Sequence, residues 1–303
     1  MSTHPFTHKL ATRVAFPGLL AVLTTLPAWA DRCSANADGK WTCTYQERNH
    51  AYASNSGGSC SGLQKLRKVR WQVPEGTPPA GGWPVVFYFN GTVIAGSNAT
   101  APFTSTSTSF GADQAEIALH EYLDNPSGQG RKYAVIAPEA PTFLGVQFWD
   151  TNQGSNYTGK NDYCFLPDLF KAVSEGRYGP ASQFNMTQRY AVGISSGGYN
   201  TSRMAVSFNE DSTWRALAIV SGSYATCAGP LCSVPATLPA NHPPTKFYHG
   251  TADFIVPIGT MRTYFNRLDA QGIEVEKVEH KKGHMFTPDI LGETGAKAWF
   301  DRH

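Results

Sequence analysis

The sequence carries almost no excess charge of either sign. Its 303 residues contain 25 Lys and Arg against 23 Asp and Glu. It therefore has no basic field that would hold nucleic acid or an anionic lipid surface, and it has no acidic tail either. Cysteine pairs separated by two residues, a common metal-binding spacing, are also missing. We expect no nucleic-acid partner, no metal and no other cofactor.

The sequence also lacks an apolar run long enough to span a bilayer. The run at residues 14–27 follows the basic residues Lys9 and Arg13 and precedes the small-residue segment Ala-Trp-Ala at 28–30. This layout indicates a secretory signal peptide over residues 1–30, rather than a short membrane anchor. We predict a secreted, extracellular protein without a membrane partner. Loss of the leader leaves 23 basic against 23 acidic residues in the mature chain.

Cysteine is scarce, and all six cysteines lie after the predicted leader. An even number in an oxidising compartment favours disulfides, and six cysteines allow 15 pairings. Proximity along the chain favours Cys33–Cys43 and Cys227–Cys232, which leaves Cys60–Cys164. Residues 31–62 are polar and rich in Gly, Ser and Asn. We predict that they form an N-terminal extension stapled by disulfides.

Apolar runs with β-forming residues alternate with helix-like stretches along the rest of the chain. The predicted strands are 68–73, 84–90, 133–138, 189–194, 216–222, 246–250 and 275–280, and the predicted helices are 112–124, 166–176, 199–209, 259–272 and one near 292–300. This alternation is typical of an α/β fold with a mainly parallel sheet and helices on both faces. We assign it to a single domain over residues 63–303. The Ser/Thr-rich stretch at 96–112 predicts a surface loop.

The stretch RYAVGISSGGYNTSRMA, residues 189–205, places two adjacent serines among glycines between a predicted strand and helix. Ser195 has glycine two residues before and two after it, the G-x-S-x-G pattern of a sharp turn that exposes a nucleophilic hydroxyl. Ser196 has Ile194 two residues before it and fits only half of the pattern. The alternative is a glycine-rich helix start that a serine merely caps. The neighbouring strand and helix favour Ser195 as a nucleophile.

A serine hydroxyl becomes a good nucleophile only when a histidine acts as its base and an acid orients that histidine. In an α/β fold of this kind the acid should follow the serine along the chain, and the histidine should follow the acid. Asp253 and His284 each come shortly after a predicted strand, in that order. His280 would end a strand, and His249 precedes the acid. Taken singly, Asp253 is equally a turn or helix cap, and His284 a loop histidine. Together they predict a triad with Ser195.

An acyl-transfer site also needs two N–H donors for the negatively charged oxygen of its intermediate. The first should be the backbone N–H of Ser196, the residue after the nucleophile. The second should come from the turn after the strand FYFN, where Gly91 and Thr92 are the candidates and Thr92 is slightly preferred. The sequence Asn-Gly-Thr at this turn also fits an ordinary turn or a glycosylation site.

Three stretches carry a family resemblance: GISSGGYNTSRMA, and downstream HGTADFIVP and GHMF. With them the chain resembles the extracellular depolymerases of medium-chain-length poly(3-hydroxyalkanoates), and more broadly is similar to secreted esterases of the α/β-hydrolase fold. The resemblance covers most of the mature chain, from about residue 58 to the C-terminus. It implies Ser195 as nucleophile, Asp253 as acid and His284 as general base. The sequence FNG departs from the HG usual in esterases, which leaves the second oxyanion donor open.

The resemblance implies a single catalytic domain that binds a water-insoluble polyester through its own surface. The implied reaction is acyl transfer, and it needs no cofactor. Tyr199, Phe286 and Trp149 are the candidate aromatic residues for contacting this substrate, although plain core packing explains each of them singly. The alternatives are a carboxylesterase or feruloyl-type esterase acting on soluble esters, less plausibly a peptidase, and a non-catalytic binding protein. The sequence does not predict the oligomeric state.

Overall fold

The computed structural model describes residues 1, 31–37, 41–95, 102–103, 114–152 and 156–303. Apart from Met1, the predicted signal peptide lies outside them. So does the predicted loop at 96–112, except for residues 102–103.

An eight-stranded sheet runs through the part of the chain after residue 30. In chain order its strands are β3 (Gln46–Ala53), β4 (Gln64–Gln72), β5 (Trp83–Phe89), β7 (Ala134–Pro138), β10 (Phe184–Ile194), β11 (Trp214–Val220), β12 (Thr245–Gly250) and β13 (Val275–His280). The spatial order is β13-β12-β11-β10-β5-β7-β4-β3. The six strands from β13 to β7 are parallel, whereas β4 runs antiparallel to both of its neighbours, β7 and β3. The predicted, mainly parallel sheet is confirmed.

Helices lie between these strands and after the last of them. They are α1 (Gln114–Leu123), α2 (Asn161–Ser174), α3 (Ser196–Ser207), α4 (Ile258–Ala270), α5 (Pro288–Leu291) and α6 (Ala296–Asp301). Helices α2 and α3 begin five and three residues earlier than the sequence predicts, because polar and glycine residues form their first turns. No helix within the described residues is both long enough and apolar enough to cross a membrane.

The central strands are buried on both faces, which explains their nearly continuous apolar sequence. In β5, Val85 and Phe87 pack in one apolar cluster, whereas Val86 and Tyr88 pack in the cluster on the other face. Alternate residues of a strand point to opposite faces of the sheet, so the single run PVVFYF serves both cores. The sheet is therefore a rigid platform for the loops that leave its carboxyl edge.

Part of the segment predicted as an N-terminal extension enters the sheet, because Gln46–Ala53 forms the edge strand β3. Cys33–Cys43 joins β1 (Cys33–Ala35) to β2 (Trp41–Cys43), and Cys60–Cys164 ties the loop after β3 to helix α2. With Cys227–Cys232, these are the pairings that chain proximity favours. Sequence periodicity misses β3, because its residues are mostly polar and exposed on an edge.

A small three-stranded sheet lies on loops that follow the parallel strands. Strand β6 (Val93–Ile94) comes after β5, while β8 (Thr142–Phe143) and β9 (Val146–Gln147) come after β7. The spatial order is β6-β9-β8. Since parallel strands all end at one edge, this sheet belongs to the same end of the fold as the residues that follow β10, β12 and β13. All predicted catalytic residues follow those strands.

Candidate active site

Ser195 occupies a sharp turn between β10, which ends at Ile194, and α3, which begins at Ser196. Its backbone angles are φ 57° and ψ −120°, a strained conformation that a residue other than glycine adopts rarely. The side chain is partly exposed, whereas Ser196 is only 3% exposed. The turn therefore presents the Ser195 hydroxyl outward at the start of a helix, as the G-x-S-x-G pattern predicts.

The two glycines of this pattern allow backbone segments to approach closely. A Cβ atom on Gly193 would lie 2.4 Å from the carbonyl oxygen of Gly197 and 2.8 Å from that of Phe89. A Cβ atom on Gly197 would lie 2.0 Å from the Phe89 oxygen and 2.6 Å from the Asn90 oxygen. These neighbours are backbone atoms, which cannot rotate out of the way as a side chain can. The glycines therefore let α3 begin directly against the end of β5.

Gly197→Ala should destabilise the protein by about 3 kcal/mol or more, because the new methyl group overlaps the carbonyl oxygens of Phe89, the last residue of β5, and of Asn90, which follows it. Gly259→Ala is the matched control, since Gly259 lies in α4 and a Cβ atom there meets nothing within 4 Å. The control should leave stability unchanged or raise it by up to about 1 kcal/mol. Urea unfolding of both variants measures the difference. Equal midpoints for the two variants would refute the close-approach explanation.

Asp253 lies in the turn after β12, and its carboxylate is fully buried. Oxygen Oδ1 accepts hydrogen bonds from the N–H groups of Ile255 (3.0 Å) and Val256 (2.9 Å). Burial by itself would raise the pKa of Asp253. Hydrogen bonds from His249, His284 and the Val256 N–H outweigh it and hold the pKa well below its usual value. The carboxylate is therefore ionised throughout the neutral range.

His284 follows β13, and its Nδ1 lies 2.8 Å from Oδ2 of Asp253. A carboxylate accepts hydrogen bonds only, so the histidine's proton is on Nδ1. In the neutral ring Nε2 is then free of a proton and able to take one. The structure thus brings Asp253 and His284 together in the arrangement that a general base requires.

His249 is a second histidine on the same carboxylate, which sequence reasoning set aside because it precedes the acid. It is fully buried, and its Nε2 lies 2.8 Å from the carbonyl oxygen of Val256 and 3.3 Å from Oδ2 of Asp253. The carbonyl can only accept, so Nε2 of His249 carries a proton and shares it with both oxygens. The sequence HGTAD places His249 four residues before the acid, and that spacing was the available signal.

The predicted oxyanion donors lie on neighbouring segments. A Cβ atom on Gly91 would lie 3.3 Å from the carbonyl oxygen of Ile194 and 3.5 Å from Cβ of Ser195, so the turn after β5 borders the nucleophile. Ser196 is the first residue of α3 and directly follows the nucleophile. Thr92 follows Gly91 and is exposed. Both Gly91 and Thr92 therefore stay candidates for the second donor.

The structure buries the aromatic side chains predicted to contact the substrate. Tyr199 and Phe286 are 2% exposed, and Trp149 is 0% exposed. The Tyr199 hydroxyl accepts a hydrogen bond from the N–H of Gly229 at 3.1 Å, and burial raises the pKa of Tyr199 to about 12. Fully enclosed rings offer no surface to a polymer. They support the site from within the core.

Metal ligands are scarce around the predicted catalytic residues in the part of the chain that the structure describes. His280 and His284 are four residues apart, a spacing that occurs among metal ligands. Within the ranges described above, however, no group of three or more His, Cys, Asp or Glu is placed to hold an ion.

A surface cavity of about 620 Å³ lies between α2 and the end of α3, and none of the predicted catalytic residues lines it.

One characterised protein is similar to this chain over most of its length. The chain is 44% identical over 247 residues to a poly(3-hydroxyoctanoate) depolymerase of Pseudomonas fluorescens, and the match covers 80% of this chain and 82% of the relative. The chain belongs to the poly(3-hydroxyoctanoate) depolymerase family. It is accordingly a serine ester hydrolase. No protein-family model matches the chain.

Solved structures show which fold this depolymerase family member has. A ferulic acid esterase has a TM-score of 0.54 at 12% identity, with 80% of this chain and 92% of that chain covered. A thermostable esterase has a TM-score of 0.52 at 16% identity, with 89% and 67% covered. The Bacillus cereus carboxylesterase has a TM-score of 0.50 at 14% identity, with 78% and 94% covered. The predicted α/β-hydrolase fold is confirmed.

Proposed function

We propose that the protein is a secreted serine hydrolase that cleaves the ester bonds of medium-chain-length poly(3-hydroxyalkanoates). The observation that carries this proposal is the buried Asp253–His284 pair, 2.8 Å between Oδ2 and Nδ1, at the same sheet edge as the strained turn of Ser195. The substrate class is that of the relative, which is named a poly(3-hydroxyoctanoate) depolymerase.

The proposed reaction is acyl transfer in two halves. Oγ of Ser195 attacks the ester carbonyl carbon while Nε2 of His284 takes the hydroxyl proton, and Asp253 stabilises the resulting imidazolium. Backbone N–H groups of Ser196 and of the turn after β5 stabilise the negatively charged oxygen. The alcohol end of the polymer leaves with the proton from His284. Water, activated by the same histidine, then releases the acid and regenerates the serine.

Exposed apolar side chains on the loops at this edge support an insoluble substrate. We call them the apolar rim: Ile94, Phe143, Leu144, Leu231, Phe254 and Ile255. Three of them follow β5 or β7, and the other three follow β11 or β12, so the rim borders both sides of the strand that leads to Ser195. Exposed apolar groups concentrated at one end of a protein commonly mark a surface that binds another apolar surface. The rim is suited to adsorb a polyester particle.

The double variant Leu144→Ser/Leu231→Ser should weaken adsorption to polymer particles about tenfold or more, because each leucine loses its apolar contact with the particle. Turnover of a soluble ester should stay near the wild-type value. The matched control is Leu63→Ser/Leu66→Ser, since these leucines are similarly exposed and lie at the same sheet edge, but at the start of β4, three positions from β10 in the sheet. A sedimentation assay of bound protein measures the difference. Identical adsorption by both double variants would rule out the rim.

Secretion is supported by the leader-like segment and by three disulfides, which form in oxidising compartments. Amino-terminal sequencing of the exported protein should begin at Asp31.

The substrate class is tested by parallel assays on one preparation. Clearing of suspended medium-chain and short-chain polyhydroxyalkanoates is compared with hydrolysis of soluble nitrophenyl and feruloyl esters. The proposal predicts fast clearing of the medium-chain polymer and slower clearing of the short-chain one. Hydrolysis confined to soluble esters would instead identify a carboxylesterase or feruloyl-type esterase.

A further inference from the structure

We propose that Trp149 is a positioning residue for the oxyanion hole, a role that rests on the proposed acyl-transfer function. Trp149 lies in the loop between β9 and α2 and is fully buried. It contacts both backbone segments whose N–H groups are the candidate oxyanion donors. Its role is to hold these two segments at a fixed separation.

Two hydrogen bonds from Trp149 make this connection. Its backbone N–H donates to Oγ of Ser196 at 2.9 Å, and its indole Nε1 donates to the carbonyl oxygen of Asn90 at 2.9 Å. Ser196 begins α3, and Asn90 follows β5. The indole ring also packs edge-on against Phe89, with 5.0 Å between ring centroids and an angle of 77°. One residue thus clamps the nucleophile turn to the turn after β5.

The bond to Asn90 fixes the direction of a candidate donor. The carbonyl of Asn90 and the N–H of Gly91 belong to one planar peptide group and point in opposite directions. An indole N–H that holds the carbonyl on one side therefore directs the Gly91 N–H to the other. The next peptide group is fixed in the same way, since Nδ2 of Asn90 donates to the carbonyl oxygen of Gly91 at 2.7 Å. That group carries the N–H of Thr92.

Buried polar contacts hold the clamp itself in place. The N–H of Asp150 donates to the carboxylate of Asp162 at 2.6 Å, and the N–H of Asp162 donates to that of Asp150 at 3.0 Å. Arg67 pairs with Asp162, and both side chains are almost completely buried. Thr151 donates to the carbonyl oxygen of Ala225 at 2.7 Å. The segment that begins at Trp149 is therefore held by its contacts with Asp162 and with Ala225. A segment held in this way can keep the oxyanion donors in fixed positions.

Trp149→Phe tests the proposal, because it removes the indole N–H but keeps the ring and the backbone N–H. Trp214→Phe is the matched control: Trp214 is 3% exposed, and its indole donates to the carbonyl oxygen of Phe208 at 2.8 Å. Both variants lose one buried indole hydrogen bond and should show similar falls in Tm. Only Trp149→Phe should lower kcat for a soluble ester, by about tenfold to a hundredfold, with KM nearly unchanged.

A second readout separates positioning from general damage. A boronic acid forms a tetrahedral adduct with the Ser195 oxygen, so its affinity should fall in Trp149→Phe in proportion to kcat/KM and stay constant in Trp214→Phe. Equal kcat values in the two variants, or a change in KM alone, would overturn the proposal. If Trp149→Phe does not fold, Ser196→Ala removes the other contact of the clamp and should still lower kcat. An unchanged kcat there would also overturn it.

The two hypotheses fail in different ways. If the wild-type protein does not hydrolyse esters through Ser195, the proposed function fails before any variant is compared. If it does, and Trp149→Phe matches Trp214→Phe in every assay, only the role of Trp149 is lost.

Discussion

Ser195→Ala should lower kcat for ester hydrolysis by about 10⁴- to 10⁶-fold while the protein stays folded. The loss is this large because the remaining groups of a triad have no covalent step to promote once the nucleophile is gone. The fold should tolerate alanine as it tolerates serine at φ 57°, because both residues carry a Cβ atom in the same strained conformation.

Ser221→Ala is the matched control for this variant. Ser221 also follows a central strand, β11, with a positive φ of 45°, and its buried hydroxyl has no hydrogen-bond partner among the described residues. Stopped-flow or overnight hydrolysis of a nitrophenyl ester, with circular dichroism as a folding check, compares the two. Wild-type-like turnover by Ser195→Ala would mean that another group is the nucleophile.

Asp253→Asn should lower kcat at neutral pH by about 10⁴-fold. The two oxygens of Asp253 accept N–H groups on both sides, from His284 and His249 at Oδ2 and from backbone amides at Oδ1. An amide has only one oxygen, so one of these sides must face an NH₂ group instead. If that side is the histidine side, His284 no longer holds its proton on Nδ1. The base is then in the wrong tautomer.

Asp269→Asn controls for the change in charge, since Asp269 is an exposed acid near the end of α4. It should retain wild-type kcat.

The pH profile adds a second test. The pKa of Asp253 is depressed, so its contribution to stability is complete above the unfolded value near pH 4 and is lost only as pH falls through the lower folded value. Asp253 therefore stays ionised over the acid range, and the acid limb of the kcat/KM profile should show the protonation of one group only. Two protonations in that limb would contradict an ionised Asp253.

The order of residues along the chain predicted which sheet edge the candidate site residues share. Ser195, Asp253 and His284 each follow a parallel strand, and parallel strands of one sheet end at the same edge. Three residues far apart in the sequence are thereby brought to one end of the fold by topology alone. The two glycines beside Ser195 have a comparable basis, since a helix that starts against a strand end leaves no room for a Cβ atom.

The sequence could not predict which way the aromatic side chains face. Trp149, Tyr199 and Phe286 lie near the site along the chain or in space, yet the structure buries all three. A loop has no fixed periodicity, so the sequence does not tell whether a ring in it points to the core or to solvent. The hydroxyl of Ser196 shows the same limit. The sequence predicts a role for the backbone N–H of Ser196, but it carries no signal that Oγ accepts a hydrogen bond from the N–H of Trp149.

Edge strand β3 was missed for a related reason. Its side chains are mostly exposed and polar, so the apolar run that identifies the buried strands is absent. Pairing with β4 over Gln46–Ala53, rather than local sequence preference, makes this segment a strand. The apolar rim likewise could not be predicted from local sequence, because its members are scattered along the chain and share only their place at the carboxyl edge.

The central claim is that one serine, Ser195, performs all ester cleavage by this protein. It is tested most directly by labelling the wild type with a phosphonate ester, locating the modified residue by peptide mass spectrometry, and following polymer clearing and soluble-ester hydrolysis together. We predict one label per chain, on Ser195, and loss of both activities in proportion to labelling. A label on another residue, or polymer clearing that survives complete labelling of Ser195, would contradict the account.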